Sequence, residues 1–179
     1  NNNTFFSKYI FSIGQDPARD FETLLKVDSN KKIHIHTSLL SAKDSKKFKI
    51  TNGSYQKHNV SFSDSEIRTL YQESFAVIVP LKDVFQPSGY SVTLQAMACG
   101  KPVIITKTKG LWAPKIFKHK ENCILVRPGS SLEIENAINY LDFSQSKYEE
   151  ISENARKTAV KYFSLTQANN STLEILEKI

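Results

Sequence analysis

Two short apolar runs constrain the fold of this chain more than any other feature. Residues 75–79 read Phe-Ala-Val-Ile-Val, and residues 103–105 read Val-Ile-Ile. Neither run alternates with polar residues, and both are rich in β-branched side chains. Such runs are typical of strands buried on both faces, which occur in parallel sheets covered by helices. The sequence therefore predicts an α/β fold with a parallel sheet.

Strand-like and helix-like segments alternate along the rest of the chain. Further strands are predicted at residues 9–13, 33–36, 59–62 and 123–126, and helices at 20–27, from Ser63 onward, and at 91–98, 132–141, 148–162 and 165–179. Strands separated by helices imply right-handed crossovers, with helices on both faces of the sheet. The length of 179 residues suits one domain, so residues 1–179 are predicted to form a single Rossmann-like domain. Ligands of such sheets bind at the carboxyl ends of the strands.

The charge of the chain permits an anionic partner but does not identify one. The net charge is +6, which would suit a nucleoside diphosphate, an acidic membrane surface or a nucleic acid. The densest basic group, Lys43, Lys46, Lys47 and Lys49, is interpreted as a solvated loop or helix face. No nucleic acid partner is expected, because the sequence has no RNP-type aromatic motif and no zinc-finger spacing. No apolar run reaches the roughly 20 residues that span a bilayer.

Cysteine and histidine positions do not indicate a metal site. Cys99 and Cys123 lie in apolar contexts without metal-ligand spacing, so both are predicted to be reduced and buried. His34 and His36 would share one face of a strand, and a half-exposed strand face is preferred over a metal pair because no third ligand lies nearby. There is no Asp-x-Asp motif either, so neither a metal nor a cofactor is expected.

The segment between the two apolar runs could cradle a phosphate. A polar loop, residues 81–89, leads into the helix that begins near Ser91, at the ligand edge of the sheet. The first N–H groups of a helix are unpaired and its dipole is positive at that end, which suits an anion. Gly89 has no Cβ, so a phosphate could approach the backbone closely. An ordinary turn between strand and helix remains an equally good interpretation of the geometry alone.

Residues 89–104 resemble the signature of retaining GT-B glycosyltransferases. The likeness rests on Ala-Met-Ala-Cys-Gly at 96–100 followed by Pro-Val-Ile at 102–104. Gly14 with Arg19, and residues 59–62, 125–129 and 154–156, resemble further elements of the same family in the same order. The resemblance covers essentially the whole chain and is to the C-terminal, donor-binding half of a GT-B enzyme. It implies an N-terminal acceptor domain that is absent from this chain.

The resemblance implies roles for individual positions. Arg19 would neutralise the donor diphosphate, because guanidinium can grip phosphate through two hydrogen bonds. The implied donor contacts are Gly14, Arg19, Gly89, Tyr90, Ser91 and Val92 for the diphosphate; Gln95, Gln86 and Thr93 for the ribose and sugar; and Ser63 and Asp64 for the base. The implied substrate is a UDP-, GDP- or ADP-sugar, used for retaining hexosyl transfer in polysaccharide, lipopolysaccharide or glycoconjugate biosynthesis. The chain alone should be inactive.

Three departures from the family pattern keep other functions open. Pro87 stands where the family has its first glutamate, Gln95 where it has the second, and Gln15 where it has an arginine. These neutral residues favour a non-catalytic nucleotide-binding or scaffold module, and a UDP-sugar epimerase shares the architecture. Trp112 could stack on a sugar or face the absent domain, and packing in the core is an equally good interpretation; contact with the absent domain is our hypothesis. A cytoplasmic location is expected, with peripheral attachment to the inner face of the plasma membrane as an option for the full-length enzyme.

Overall fold

Seven strands form one sheet in the computed structural model, which describes residues 9–53 and 62–167. The strand order is β3-β4-β2-β1-β5-β6-β7, and every neighbouring pair is parallel except β3 and β4. The strands are β1 (Tyr9–Ile13), β2 (Lys32–His36), β3 (Lys43–Asp44), β4 (Phe48–Thr51), β5 (Val77–Val79), β6 (Val103–Thr106) and β7 (Ile124–Val126).

Helices cover both faces of this sheet, as the apolar runs predicted. They are α1 (Phe21–Leu24), α2 (Asp64–Glu73), α3 (Tyr90–Ala98), α4 (Ser131–Phe143) and α5 (Gln145–Phe163). Successive strand side chains point to opposite faces, so Ile78 packs with α1 and α4 while Val77 and Val79 pack with α2 and α3. None of the helices in the described ranges is long and apolar enough to cross a membrane.

Helix α5 joins the two apolar clusters that these faces form. Tyr148 and Ile151, in its first half, belong to the cluster beneath α1 and α4. Ala155 and Ala159, in its second half, belong to the cluster beneath α2 and α3. One helix is therefore part of the core on both sides of the sheet.

The order in which strands are added to the sheet reverses between β1 and β5. From β1 the chain builds outward to β2 and β4, and from β5 it builds outward to β6 and β7 on the other side. In sheets with this order, ligands bind in the crevice at the point where the order reverses. Gly14 follows β1 and Pro80 follows β5, so both flank this crevice.

Both edges of the sheet are blunted. At one edge β3 has only two residues, Lys43 and Asp44, and both are exposed and charged. At the other edge the Leu125 amide of β7 donates to His119 Nδ1 (3.1 Å). One edge therefore offers few backbone groups to another chain, and at the other edge one such group is already hydrogen-bonded.

The structure corrects part of the interpretation of the lysine-rich stretch. All four lysines are exposed, and Lys46 and Lys47 lie in a loop, as expected. Lys43 and Lys49 lie instead in β3 and β4, and β4 also contains the buried side chains of Phe48 and Ile50. Only two apolar side chains alternate with the lysines, so the alternation typical of a strand extends over too few residues to be recognised in the sequence. The strand predicted at residues 59–62 lies outside the described residues except for Phe62, which is not in a strand.

His34 and His36 are buried rather than half-exposed. Their side chains share the hydroxyl of Thr51, with His34 Nε2 at 3.0 Å and His36 Nδ1 at 2.9 Å. Burial is the main reason that the pKa of His34 falls to about 4, and it lowers the pKa of His36 as well. Both rings are therefore neutral near pH 7, and they pack as part of the fold.

The assignment of β4 predicts that substitutions at two neighbouring positions differ in their effect on stability. Ile50→Ala should lower the free energy of unfolding by about 2 kcal/mol or more, because Ile50 is buried against the sheet. Lys49→Ala, one residue away on the exposed side, should change it by less than about 0.5 kcal/mol. Urea unfolding of the two variants measures the difference. Equal, small effects of the two substitutions would contradict a strand in which the side chain of Ile50 faces the core and that of Lys49 faces solvent.

Candidate functional site

A cavity of about 670 Å³ opens at the crevice between β1 and β5. It starts at the loops that follow these strands and continues along the groove between α2 and α3. Its wall includes Gly14, Asp16 and Arg19 from the loop after β1, and Ser88, Gly89 and Tyr90 from the loop before α3 and its first turn. The cavity therefore lies where the strand order alone predicts a ligand.

The first turn of α3 presents free backbone donors to this cavity. The helix begins after Gly89, whose φ of 77° lies in the left-handed region that favours glycine. The first intrahelical hydrogen bond runs from Thr93 N to the Gly89 carbonyl (3.0 Å). The amides of Tyr90, Ser91 and Val92 precede that bond and have no acceptor within the helix. Together with the helix dipole they form a site for an anion.

Arg19 brings a buried positive charge to the same place. Its side chain is only 6% exposed, and within the described part of the chain no group accepts a hydrogen bond from Nε or Nη1. Desolvation lowers the pKa of Arg19 to about 10, well below its usual value, although nearby Asp16 acts to raise it. Arg19 stays charged at neutral pH, so two buried donors of a cation lie at the cavity wall without a protein partner.

Two glycines make room for the guanidinium. A Cβ on Gly14 would lie 2.8 Å from Arg19 Cζ, and a Cβ on Gly89 would lie 3.4 Å from Arg19 Nη1 and 2.5 Å from the Val79 side chain. The backbone on either side of Arg19 is tied to the residues after β5, through Lys82 N to Ala18 O (2.9 Å) and Asp20 N to Pro80 O (3.0 Å). Arg19 is thus held in place by its backbone.

Asp16 adds one carboxylate to the cavity. Its Oδ1 accepts from Ala18 N (2.8 Å) and its Oδ2 accepts from Ser88 Oγ (2.6 Å). Desolvation is the largest single effect on Asp16 and acts to raise its pKa, but these hydrogen bonds and the charge of Arg19 together lower it. Asp16 is therefore ionised at neutral pH, and sequence reasoning gave no hint of its position here.

Gln15 has a structural role in place of the expected arginine. Its Nε2 donates to the Gly53 carbonyl (2.7 Å), and its Oε1 accepts from Ser38 N (2.6 Å). These bonds join the loops that follow β1, β2 and β4, so the amide of Gln15 is used to hold the cavity rim together.

The groove between α2 and α3 has an apolar and aromatic wall, formed by Ile67, Tyr71 and Val92, beside the charged side chains of Asp64 and Arg68. Phe62 and His36 also line the cavity, and their rings are 4.8 Å apart. Gln95 lies in the groove, and its Oε1 accepts a hydrogen bond from Tyr71 OH (3.0 Å). The amide of Gln95 is therefore fixed in orientation, with Nε2 remaining as a donor.

The structure gathers most of the predicted donor-site residues and leaves three outside. The residues that line the cavity are Gly14, Arg19, Asp64, Gly89, Tyr90, Ser91, Val92 and Gln95, and the departure at Pro87 lies there too. Thr93 is buried and donates to the Gly89 carbonyl (2.8 Å), so its hydroxyl stabilises the helix start. Gln86 is exposed and does not line the cavity.

Ser63 also lies outside the cavity lining because it caps α2. Its Oγ accepts from Glu66 N (3.3 Å) and the Glu66 carboxylate accepts from Ser63 N (2.7 Å), a reciprocal capping box that the sequence predicted. Asp64, the first residue of α2, remains at the cavity wall. Arg68, Tyr71 and His36 line the cavity without having been predicted there.

Of the two cysteines predicted to be buried only Cys123 is, and Trp112 packs against other aromatic rings. Trp112 is half-buried in an aromatic cluster with Tyr90, Phe117 and Phe163, outside the cavity lining. Cys123 is buried, whereas Cys99 is half-buried and lines the cavity, and burial raises the pKa of both thiols. Across residues 9–53 and 62–167, no group of three His, Cys, Asp or Glu side chains could hold a metal ion.

A Rossmann-like sheet with a helix start at its switch point is typical of proteins that bind nucleotides. The sequence profile of the family described as glycosyl transferases group 1 matches residues 43–158, and the chain belongs to that family. An uncharacterized glycosyltransferase of Methanocaldococcus jannaschii is 28% identical over 123 residues, which are 66% of this chain and 30% of that protein.

Solved structures show the same fold. HepE from Anabaena, in complex with UDP-glucose, has a TM-score of 0.74 at 20% identity over 98% of this chain. Sucrose-phosphate synthase from Thermosynechococcus elongatus has a TM-score of 0.75 at 16% identity. The chain spans 50% of HepE and 46% of the synthase, but 88% of the C-terminal domain of LpcC from Francisella tularensis (TM-score 0.64, 19% identity, 89% of this chain). These neighbours are GT-B glycosyltransferases, as the sequence resemblance predicted.

The burial of Arg19 predicts a variant that is more stable than the natural chain. Folding disfavours the charged form of this side chain at every pH below about 10, because burial lowers its pKa to about that value. Arg19→Met removes the charge and keeps much of the stem. It should raise the free energy of unfolding at pH 7 by about 1–3 kcal/mol, measured by urea unfolding.

Arg127→Met is the matched control, because the Arg127 side chain is 80% exposed. It should change the free energy of unfolding by less than about 0.5 kcal/mol. A loss of stability in Arg19→Met would mean that Asp16 and the surrounding dipoles already compensate the buried charge.

Proposed function

We propose that this chain is the donor-binding part of a glycosyltransferase that takes a nucleoside-diphosphate sugar. One observation carries the proposal: the buried guanidinium of Arg19 lines the same cavity as Tyr90, Ser91 and Val92, whose amides have no acceptor within the helix. A diphosphate satisfies both sets of donors, through charge-assisted hydrogen bonds and the helix dipole.

The nucleoside is proposed to lie in the groove between α2 and α3. Gln95 is five residues beyond the start of α3, or roughly 7.5 Å along the helix axis, which suits a ribose attached to a diphosphate at the helix start. The apolar wall of Ile67 and Phe62 suits the face of a base. The donor is proposed to be a UDP-sugar, since HepE was crystallised with UDP-glucose and with UDP.

The reaction is proposed to be hexosyl transfer with retention, in glycoconjugate or polysaccharide biosynthesis. As the bond between sugar and phosphate breaks, negative charge grows on the leaving diphosphate. Arg19 and the amides of α3 are already oriented toward that charge, so they stabilise it without reorganisation and without a metal. The acceptor would bind in a second domain outside this chain, and we expect residues 1–179 alone to bind the donor without transferring its sugar.

Calorimetric titration tests the proposal directly. The chain is titrated with UDP, GDP and ADP and with their glucose conjugates, and the series is repeated with Arg19→Met and with Arg127→Met. We expect saturable binding of one nucleotide and a loss of about 10- to 100-fold in Arg19→Met, because a charge-assisted hydrogen bond to the diphosphate is removed. Arg127→Met should bind like the unchanged chain.

Two outcomes would contradict the proposal. One is the absence of binding to all six compounds at millimolar concentration in a chain that unfolds cooperatively, which would favour a non-catalytic scaffold module. The other is binding that Arg19→Met leaves unchanged. Release of free UDP from UDP-glucose without an acceptor would instead favour an epimerase-like enzyme.

Gln95 should distinguish the ribose from the phosphates. Gln95→Ala is expected to weaken UDP binding about 2- to 10-fold, because a neutral hydrogen bond to the ribose is lost. The same variant should bind inorganic pyrophosphate as the unchanged chain does, since pyrophosphate has no ribose. Equal losses for both ligands, measured by calorimetry, would show that Gln95 acts on the phosphate cradle instead.

A further inference from the structure

The two ends of the cavity differ in chemistry on either side of the first turn of α3. On the α2 side the wall has apolar or aromatic side chains at Ile67, Tyr71 and Val92, together with the charged side chains of Asp64 and Arg68. On the side of the β1 loop the wall is polar, with Asp16, Ser88 and the backbone around Gln15. A flat base suits the first end, and a group rich in hydroxyls suits the second.

The Asp16 carboxylate is the only acidic side chain at the polar end among the described residues that line the cavity. Asp64 lies at the start of α2, on the other side. Ser88, which donates to Asp16 Oδ2 (2.6 Å), directly precedes Gly89 and the helix start. Asp16 is therefore hydrogen-bonded to the segment that would hold the diphosphate.

We propose that Asp16 is a specificity-determining residue that accepts hydrogen bonds from the hydroxyls of the donor sugar. The inference rests on the proposed function, because the diphosphate must lie at the start of α3 for the sugar to reach Asp16. A carboxylate accepts about four hydrogen bonds. Ala18 N and Ser88 Oγ use two of these positions, and the half-buried Asp16 side chain has room for sugar hydroxyls at the others.

The local turn accounts for only part of this arrangement. Residues 16–19 form a turn closed by Arg19 N to Asp16 O (2.9 Å), and an aspartate at the first position stabilises it by accepting from Ala18 N. The second oxygen is not needed for the turn. It faces Ser88, a residue 72 positions away in the chain, at the cavity wall.

A carboxylate at this position weakens the binding of a free nucleoside diphosphate and strengthens the binding of its sugar conjugate. It repels the terminal phosphate of UDP, whose charge is not covered by a sugar. It attracts the hydroxyl donors of UDP-glucose through charge-assisted hydrogen bonds. Asp16 therefore favours the intact donor over the nucleotide product, an effect that a purely structural role in the turn would not produce.

The test compares Asp16→Asn with the unchanged chain by calorimetry, using UDP, GDP and ADP, each beside its own glucose conjugate. Asparagine preserves the shape and can still bond to Ala18 and Ser88. For the nucleotide that binds, we expect the affinity for the free diphosphate to stay the same or rise. The affinity for the glucose conjugate should fall, so that the ratio of the two affinities drops about 10-fold.

Asp20→Asn is the matched control. It makes the same charge change four residues away, outside the cavity lining, and asparagine caps α1 as well as aspartate does. This control should shift both ligands equally. An unchanged ratio in Asp16→Asn, or an equal loss of both ligands, would overturn the inference while the nucleotide site stands. Failure of the unchanged chain to bind any nucleotide would instead overturn the proposed function.

Discussion

The site depends on one buried positive charge. Arg19 lies in the crevice where the strand order reverses, next to Gly14, where a Cβ would lie 2.8 Å from its Cζ. Hydrogen bonds with the residues that follow β5 hold the backbone around it, and burial restricts its side chain. Burying an uncompensated charge opposes folding, and the two apolar clusters on the faces of the sheet offset that cost. An anion bound here would offset part of that cost, which is why we propose this position for the diphosphate of the donor.

Around that charge the chemistry of the cavity wall changes from one end of the cavity to the other. The helix start supplies donors at its centre, the groove along α3 offers an apolar wall with a fixed amide at Gln95, and the β1 loop offers Asp16. A ligand with an anionic middle, a flat apolar end and a hydroxyl-rich end matches the order of these surfaces. Pro87 and Gln95 remove two carboxylates expected from the family, but the cavity as a whole still contains an ionised one close to Pro87, in Asp16.

Much of the fold could be predicted because its signals are local. The runs ending at Val79 and beginning at Val103 indicate buried parallel strands, and Ser63 with Glu66 indicates the start of α2. The strand β4 was missed because three lysines surround its two buried side chains. Within the site, the helix start and Arg19 were found from motif and position. Asp16 and Tyr71 were not, because their contacts with Ser88 and Gln95 join residues 72 and 24 positions apart, which no local pattern reveals.

The blunted edges of the sheet bear on how such a chain behaves at high concentration. A seven-stranded sheet with a long open edge would pair with its own copies and grow into fibres. Here the last strand on one side offers two residues that carry opposite charges, and the last strand on the other side has an amide already bound by an imidazole. The central strands can therefore be as apolar as a buried parallel sheet requires without making the protein prone to aggregate through its edges.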